Sequence, residues 1–233
     1  MPTPMPGETP ILNEAAKIKR NLNQDSQDRW GFPIYRCTYD DDAAWDRFKD
    51  IITPRAQKET RELGEPEILH KLERTIFDDR EVFDNATTGF LRKHFNQWKS
   101  ANLQHEQPRA TRPIEVMLLK TPRYRYFIRV GREALDSILG APGNQDADPG
   151  STATGWVHFI DTMWTADMDD VNSDTEEFDM PVLDFEPIEG CREEDVGWMV
   201  VATRSICTEL YSLLDDAEMW RVIYPRPPEM AVV

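Results

Sequence analysis

The chain has 233 residues, of which 39% are hydrophobic, and a formal net charge of −16. This composition supplies enough apolar surface for one buried core, and no apolar run approaches the roughly 20 residues that a membrane-spanning helix requires. The N-terminus lacks the basic start and the apolar stretch of a secretory signal, so we expect a cytoplasmic or nuclear protein that is not secreted.

The first 28 residues are rich in Pro, Asn, Gln and charged side chains and contain only a short helical pattern at 11–22. Such a composition is typical of a mobile, disordered arm. We therefore predict a disordered N-terminal arm at 1–28, a single folded domain at 29–228 and a short tail at 229–233.

The first part of the predicted domain alternates strand and helix patterns. Segment 32–39 is aromatic and β-branched on both faces, which is typical of a well-covered strand. Apolar residues at helical spacing follow three aspartates at 40–42, and this helix should end at Gly64, with Pro54 as a kink or a restart. Segment 68–77 fits either a helix or a strand, and a strand is favoured at its end.

The rest of the chain is predicted as further helices and strands. Strands are predicted at 114–119, 124–130, 156–161, 197–201 and 220–224, an extended stretch at 182–188, and helices at 88–98, 134–139 and 206–214. The helices are too few for a wholly parallel sheet, which favours an α+β fold. We expect a two-layer sandwich of a mixed, mainly antiparallel sheet with three to five helices, whose first half is compatible with a ferredoxin-like unit.

The acidic residues are concentrated in one part of the chain. Residues 145–195 hold 16 Asp and Glu and one Arg, a net charge of −15, so the rest of the chain is almost neutral. The centre of this segment, at about 165–180, is predicted to be a disordered acidic loop. The loop lacks the turn glycine and the bidentate Glu of a calcium-binding loop, so no metal site is predicted.

A basic segment contrasts with the acidic one. Residues 109–132 hold seven Arg and Lys and one Glu, and alternation along the predicted strand would place Arg123, Arg125 and Arg129 on one face. Guanidinium groups bind carboxylates and phosphates through paired hydrogen bonds, so these arginines are the candidate anion- or partner-binding residues. A solvated face, or one that attracts the chain's own acidic segment, explains the pattern as well. Nucleic acid is not expected, since no recognised nucleic-acid-binding module accompanies the patch.

A second candidate site is an aromatic pocket for a small ligand. Its residues would be Tyr35, Arg36, Trp45, His158 and Trp198, although packing in the core explains such residues equally well. No catalytic residue is identified, because the chain has no Gly-rich phosphate loop, no nucleophile elbow and no zinc-protease motif. The three cysteines are widely separated and form no C-x-x-C pair, so neither a zinc site nor a disulfide framework is predicted, and no cofactor is expected.

Two sequence motifs carry a resemblance to a known family. The string W-G-F-x-I-Y-R-C-x-Y at 30–39 and the string W-x-x-x-Y-x-R-P-P at 220–228 resemble a family of uncharacterised proteins from filamentous fungi of the ascomycete group. The resemblance extends over most of 30–228 and implies a fungal, intracellular protein. It implies no activity and no site residues. Gly131 departs from the family pattern, which has an acidic residue after the strand.

These observations lead to two hypotheses about function. The first is a non-enzymatic protein-interaction or regulatory module that uses an Arg-rich strand face and an acidic loop, with a protein partner or a small anionic ligand and no membrane. The alternative is a small-molecule binding protein or a metabolite enzyme with an aromatic pocket on the sheet. A third hypothesis is a structural subunit of a larger complex, which an extended exposed apolar patch would indicate.

Overall fold

Six short strands form one mixed sheet in the computed structural model of the protein, which describes residues 12–140, 155–165 and 185–231. The strands are β1 (Ile34–Arg36), β2 (Ile76–Phe77), β3 (Tyr126–Val130), β4 (Trp156–Asp161), β5 (Trp198–Ala202) and β6 (Met230–Ala231). Their order across the sheet is β2-β1-β3-β4-β5-β6. β1 is parallel to β2 and β3, β4 is antiparallel to β3 and β5, and β6 is parallel to β5.

Nine α-helices accompany these strands within the described residues. They are α1 (Glu14–Gln24), α2 (Asp42–Glu62), α3 (Arg80–Phe83), α4 (Thr88–Glu106), α5 (Ile114–Lys120), α6 (Pro122–Arg125), α7 (Arg132–Gly140), α8 (Thr208–Leu213) and α9 (Met219–Ile223). Two 3₁₀ helices span Pro66–Lys71 and Thr203–Ser205. The predicted α+β class is confirmed, but the helices outnumber the expected three to five, because short helical turns occupy segments that have no regular sequence period.

Helices cover both faces of the sheet. On one face, Ile34 and Phe159 belong to a large core that includes residues of α1, α2, α7 and α8. On the other face, Phe127 packs on Phe95 of α4, with 5.2 Å between the ring centroids. Helix α4 therefore adds a layer that the two-layer prediction does not contain.

The first three strands are not arranged as in a ferredoxin-like unit. In such a unit, an antiparallel strand separates the two strands that a helix connects. Here β2, β1 and β3 are direct neighbours and all parallel, so this part of the prediction is wrong. The two longest ladders, β3 with β4 and β4 with β5, are antiparallel, while the other three pairings are parallel.

Local sequence signals correspond to the observed helix ends. Asp41 and Thr87 each accept a hydrogen bond from the backbone N–H three residues further on, as N-capping residues do. Helix α2 continues through Pro54 and is followed by Gly64, whose φ of +82° suits a residue without a side chain. These two predicted helices are confirmed, and α4 extends beyond its predicted end.

The segment predicted as a disordered arm contains helix α1. Its apolar residues Ala15, Ile18 and Leu22 are buried in the large core. Burial of this stripe supplies the stability that the polar composition of the segment does not, so the prediction of disorder is wrong for 14–24. Residues 1–11 lie outside the described residues.

Two segments predicted as strands are helical. They are 114–119, in α5, and 220–224, in α9 with Tyr224 directly after it. A short apolar run has too few residues to distinguish a helix from a strand by its pattern. In α9 the helical turn stacks Trp220 on Tyr126, with 5.5 Å between the ring centroids, and leaves Val222 72% exposed. The packing of one large side chain therefore sets the conformation of this segment.

Most of the remaining predictions fall on described residues. The strands predicted at 156–161 and 197–201 and the helices predicted at 134–139 and 206–214 are confirmed as β4, β5, α7 and α8. The predicted tail is wrong at Met230–Ala231, which pair with β5. Residues 166–184 are outside the described residues, and with them nearly all of the predicted acidic loop and part of the extended stretch at 182–188.

We expect truncation of Ile18 to test whether α1 belongs to the folded core. The substitution Ile18→Ala removes a buried side chain and should lower the free energy of unfolding by about 2–5 kcal/mol. Arg20→Ala, on the exposed side of the same helix, should change it by less than about 0.5 kcal/mol. Urea unfolding of both variants measures the difference, and equal effects would show that α1 is not docked in solution.

Candidate functional site

Arg123 lies inside the protein and not on a strand face. Pro122 begins a helical turn, so Arg123 and Arg125 belong to α6 and the strand begins only at Tyr126. The Arg123 side chain is 0% exposed. Its Nε and Nη2 groups donate to the two carboxylate oxygens of Glu106 at 2.9 and 2.8 Å.

The remaining donors of Arg123 reach the main chain and a hydroxyl group. Nη1 donates to the carbonyl oxygens of Gly31 and Glu73 at 3.0 and 2.8 Å, and Nη2 donates to Thr75 Oγ1 at 2.7 Å. All five N–H groups of the guanidinium therefore have acceptors, which is the condition for burying this charge. Arg123 holds its neighbours in place and offers nothing to an external anion.

Arg125 is also paired within the protein. Its Nη2 donates to Asp161 Oδ2 at 2.7 Å, and Asp161 also accepts the Met163 N–H at 2.8 Å. The predicted anion-binding face of three arginines is therefore not formed, because two of them precede the strand and are neutralised by buried carboxylates. Arg129 alone projects from β3 itself.

Arg129 lies beside His158, its direct neighbour on β4. Arg129 Nη1 and His158 Nδ1 are 3.4 Å apart, and the His158 and Trp198 ring centroids are 4.7 Å apart. Burial, and then the charge of Arg129, lower the pKa of His158 to about 4, so the imidazole is neutral at pH 7.

Burial raises the pKa of the Cys37 thiol to about 11, although Arg129 opposes this shift. Cys37 is therefore not an activated nucleophile.

The five residues of the predicted aromatic pocket are divided between the two faces of the sheet. His158 and Trp198 are in contact. Arg36 packs near Trp45, with 5.3 Å from the guanidinium carbon to the ring centroid, and Trp45 itself is in the large core. Tyr35 lies on the opposite face of β1 from Arg36, in the smaller core. The predicted pocket is not formed, because the strand sends Tyr35 and Arg36 in opposite directions.

A concave site does exist on another part of the structure, between β2, α3 and α4. This aromatic groove has a volume of about 580 Å³ and is open to solvent. Its lining residues are Ile76, Phe77, Asp78, Asp79, Val82, Phe83, His94, Gln97, Trp98, Ala101 and Asn102. The apolar side chains Ile76 and Val82 are 38% and 41% exposed at its rim.

Aromatic rings in near-perpendicular contact form the floor of the aromatic groove. Phe77 meets Trp98 at 5.4 Å and 83° between the ring planes, and meets His94 at 5.2 Å and 81°. Tyr35, beneath them, is within hydrogen-bond distance of His94 Nδ1, at 2.7 Å from its hydroxyl oxygen. Burial lowers the pKa of His94, so the histidine adds no charge to the groove at neutral pH.

The negative charge of the aromatic groove comes from two carboxylates that follow β2. Asp79 is exposed and caps α3 by accepting the N–H of Glu81 at 3.0 Å. Asp78 is 3.5 Å from Arg36, which also pairs with Asp42, so Asp78 is only partly neutralised. The groove is therefore an apolar, aromatic surface with an acidic rim at the carboxyl end of an edge strand.

The aromatic groove is not predicted from the sequence. Phe77, Phe83 and Trp98 come from three separate elements, and Trp98 shares the apolar stripe of α4 that normally indicates core packing. One local signal was present, namely the change from Ile76-Phe77 to Asp78-Asp79 where the strand ends. Such a change is common at loops, so it does not by itself indicate a site.

Comparison with protein-family models, with curated proteins and with solved structures gave no match. Among the described residues there is no group of His, Cys, Asp and Glu side chains arranged to hold a metal ion. The helices of the same residues include none that combines the length and the apolar character needed to cross a bilayer. The three cysteines are free.

We expect the buried pair of Arg123 and Glu106 to be essential for stability. Glu106→Gln keeps the shape of the side chain but leaves the buried guanidinium without a counter-charge, which should cost about 3–5 kcal/mol. Asp136→Asn removes one partner of an exposed pair with Arg132 and should cost less than about 1 kcal/mol. Urea unfolding compares the two, and similar losses would contradict the structural role of Arg123.

We expect His158 to make stability depend on pH in a defined window. Because its folded pKa is lower than in the unfolded chain, the unfolded chain binds the proton first, and stability falls as pH decreases from about 6.5 to 4. Over this range, His158 should lower the free energy of unfolding by up to about 3 kcal/mol. Unfolding free energies measured across this range should fall less steeply for His158→Gln than for the parent protein, and parallel curves would contradict this assignment.

Proposed function

We propose that the protein is a non-enzymatic interaction module that binds an extended, basic segment of a partner protein in the aromatic groove. The observation that carries this proposal is an open apolar groove with an acidic rim beside the edge strand of the sheet. This assigns the interaction to a different surface from the Arg-rich strand face, whose first two arginines are used internally.

The edge of the sheet supports binding of an extended segment. β2 lies at the end of the strand order and pairs only with β1 among the described residues. An unpaired strand edge can accept a further strand, whose main-chain hydrogen bonds give affinity while alternate side chains enter adjacent pockets. In this arrangement the partner's side chains on one face would lie over Phe77 and Trp98.

Charge supports a basic segment as the occupant. Asp78 and Asp79 are exposed and lie at the rim, and the residues that line the groove include no Lys or Arg. An acidic surface raises the rate of encounter with a basic partner, and salt weakens this effect. Aromatic rings also attract cationic side chains, which adds to the same preference.

The size of the aromatic groove favours one alternative, a small-molecule binding protein. A volume of about 580 Å³ is within the range of ligand pockets, and the contact between Tyr35 and His94 places a polar pair at the floor. The openness of the groove is better suited to a peptide, which buries its surface along an edge.

A cytoplasmic or nuclear location and membership of the fungal family form part of the proposal.

We expect a random peptide library displayed on phage and selected on the full chain to yield sequences that alternate Lys or Arg with apolar residues. Binding of a selected peptide should weaken by a factor of about 1.4 to 5 on Asp79→Asn, since an exposed ion pair contributes about 0.2–1 kcal/mol. Asn keeps the helix cap that Asp79 provides, so the change removes charge and little else. Fluorescence anisotropy at low and high salt measures both effects.

A matched control removes the same charge outside the aromatic groove. Glu81 is exposed on α3 but does not line the groove, so Glu81→Gln should leave peptide affinity nearly unchanged. Selected peptides without an excess of basic residues, or equal affinities for Asp79→Asn and Glu81→Gln, would contradict the proposal.

A further inference from the structure

Arg129 is half-buried on β3 and has no carboxylate partner within the described residues, a situation that it shares with Arg74. Arg36, Arg123 and Arg125 each pair with at least one Asp or Glu. Arg129 Nη1 is 3.4 Å from the His158 ring nitrogen, the Arg129 side chain also interacts with the Cys37 thiol, and its Nε atom is buried with no oxygen or nitrogen acceptor among the described residues. Among the residues that the structure describes, no neighbouring carboxylate therefore balances its positive charge.

A second donor without a partner belongs to Trp198 on β5, the strand that pairs with the other edge of β4. The Trp198 Nε1 atom is buried and has no hydrogen-bond acceptor among the described residues. The Trp198 and His158 rings are in contact, and the Trp156 and His158 ring centroids are 5.0 Å apart. Arg129, His158 and Trp198 are each partly exposed, so this cluster reaches the surface of the sheet, although the two unpartnered nitrogen atoms are themselves covered.

His158 adds a third N–H donor to this cluster. The imidazole is neutral at pH 7, and a guanidinium that donates to Nδ1 requires the proton to be on Nε2. The cluster thus presents N–H groups from an arginine, an indole and an imidazole. Buried donors without acceptors are rare in native proteins and are costly, and a bound ion or ligand is one of the common explanations.

The geometry points to a carboxylate-binding site formed by Arg129, His158 and Trp198. One carboxylate carries one negative charge, which matches the single guanidinium, whereas a doubly charged phosphate would leave an excess negative charge in a partly buried site. The indole faces of Trp156 and Trp198 supply an apolar surface for the body of the ligand.

The carboxylate site is distinct from the aromatic groove. Both lie on one face of the sheet, but Tyr35 stands between Phe77 of the groove and Arg129 of the site. The other groups that influence this region are the Cys37 thiol and the exposed Asp84. The thiol is a weak acceptor for the Arg129 side chain and is uncharged at pH 7, so it does not balance the guanidinium. The site does not depend on the proposed peptide interaction.

Nuclear magnetic resonance tests the site directly, because the Trp198 Nε1–H and the Arg129 Nε–H signals are separately observable. Titration of the ¹⁵N-labelled full chain with sodium acetate and sodium benzoate should move both signals along one saturable curve, with sodium chloride as the ionic control. Trp198→Phe and Arg129→Gln assign the signals. Benzamide, which has the ring but no charge, should have no effect.

The decisive comparison is between Arg129→Gln and Arg132→Gln. The first should weaken carboxylate binding, measured on the Trp198 signal, at least about tenfold, since hydrogen bonds between charged groups are the strong ones. The second removes an exposed arginine on α7 and should leave the titration unchanged. Signals that do not respond to either carboxylate, respond equally to chloride or respond unchanged in Arg129→Gln would overturn the site. Stronger binding of inorganic phosphate than of acetate would overturn the choice of carboxylate.

Discussion

The buried guanidinium of Arg123 joins four parts of the chain that are distant in sequence. Through Glu106 it holds the end of α4, and through Gly31, Glu73 and Thr75 it holds the segments that lead into β1 and β2. Gly31 has φ of +104°, and a side chain there would come within 3.0 Å of the Glu73 carbonyl oxygen. The register of the parallel strands and the position of α4 over the sheet therefore both depend on this one charge.

A row of neighbouring residues across the strands connects the two surfaces described above. Phe77, Tyr35, Arg129 and His158 lie side by side on β2, β1, β3 and β4, all on the face that α4 partly covers. Helix α4 covers the centre of this face, where Phe95 packs on Phe127. The groove forms where the helix meets the sheet edge, so the placement of α4 determines this surface, while Arg129 and His158 lie at the other end of the row.

Local signals in the sequence were sufficient for some elements and not for others. Asp41 and Thr87 predicted helix starts because a capping hydrogen bond forms within a few residues. The conformation of Trp220 depends on Tyr126, which is distant in sequence, and no local pattern contains that contact. The candidate sites also differ in how far local sequence signals predict them. The contact of His158 with Trp198 joins two predicted residues, but the groove requires three elements to meet and could not be read from spacing.

The docking of α1 has a consequence for how the protein is made. Asn21 on α1 donates to Asp215, just beyond α8, at 2.8 Å, so the first described helix packs on residues near the other end of the chain. During synthesis, α1 leaves the ribosome long before its binding surface exists. Its apolar stripe of Ala15, Ile18 and Leu22 must then remain exposed until the last helices emerge. Such a nascent chain is a natural client for chaperones that shield apolar segments.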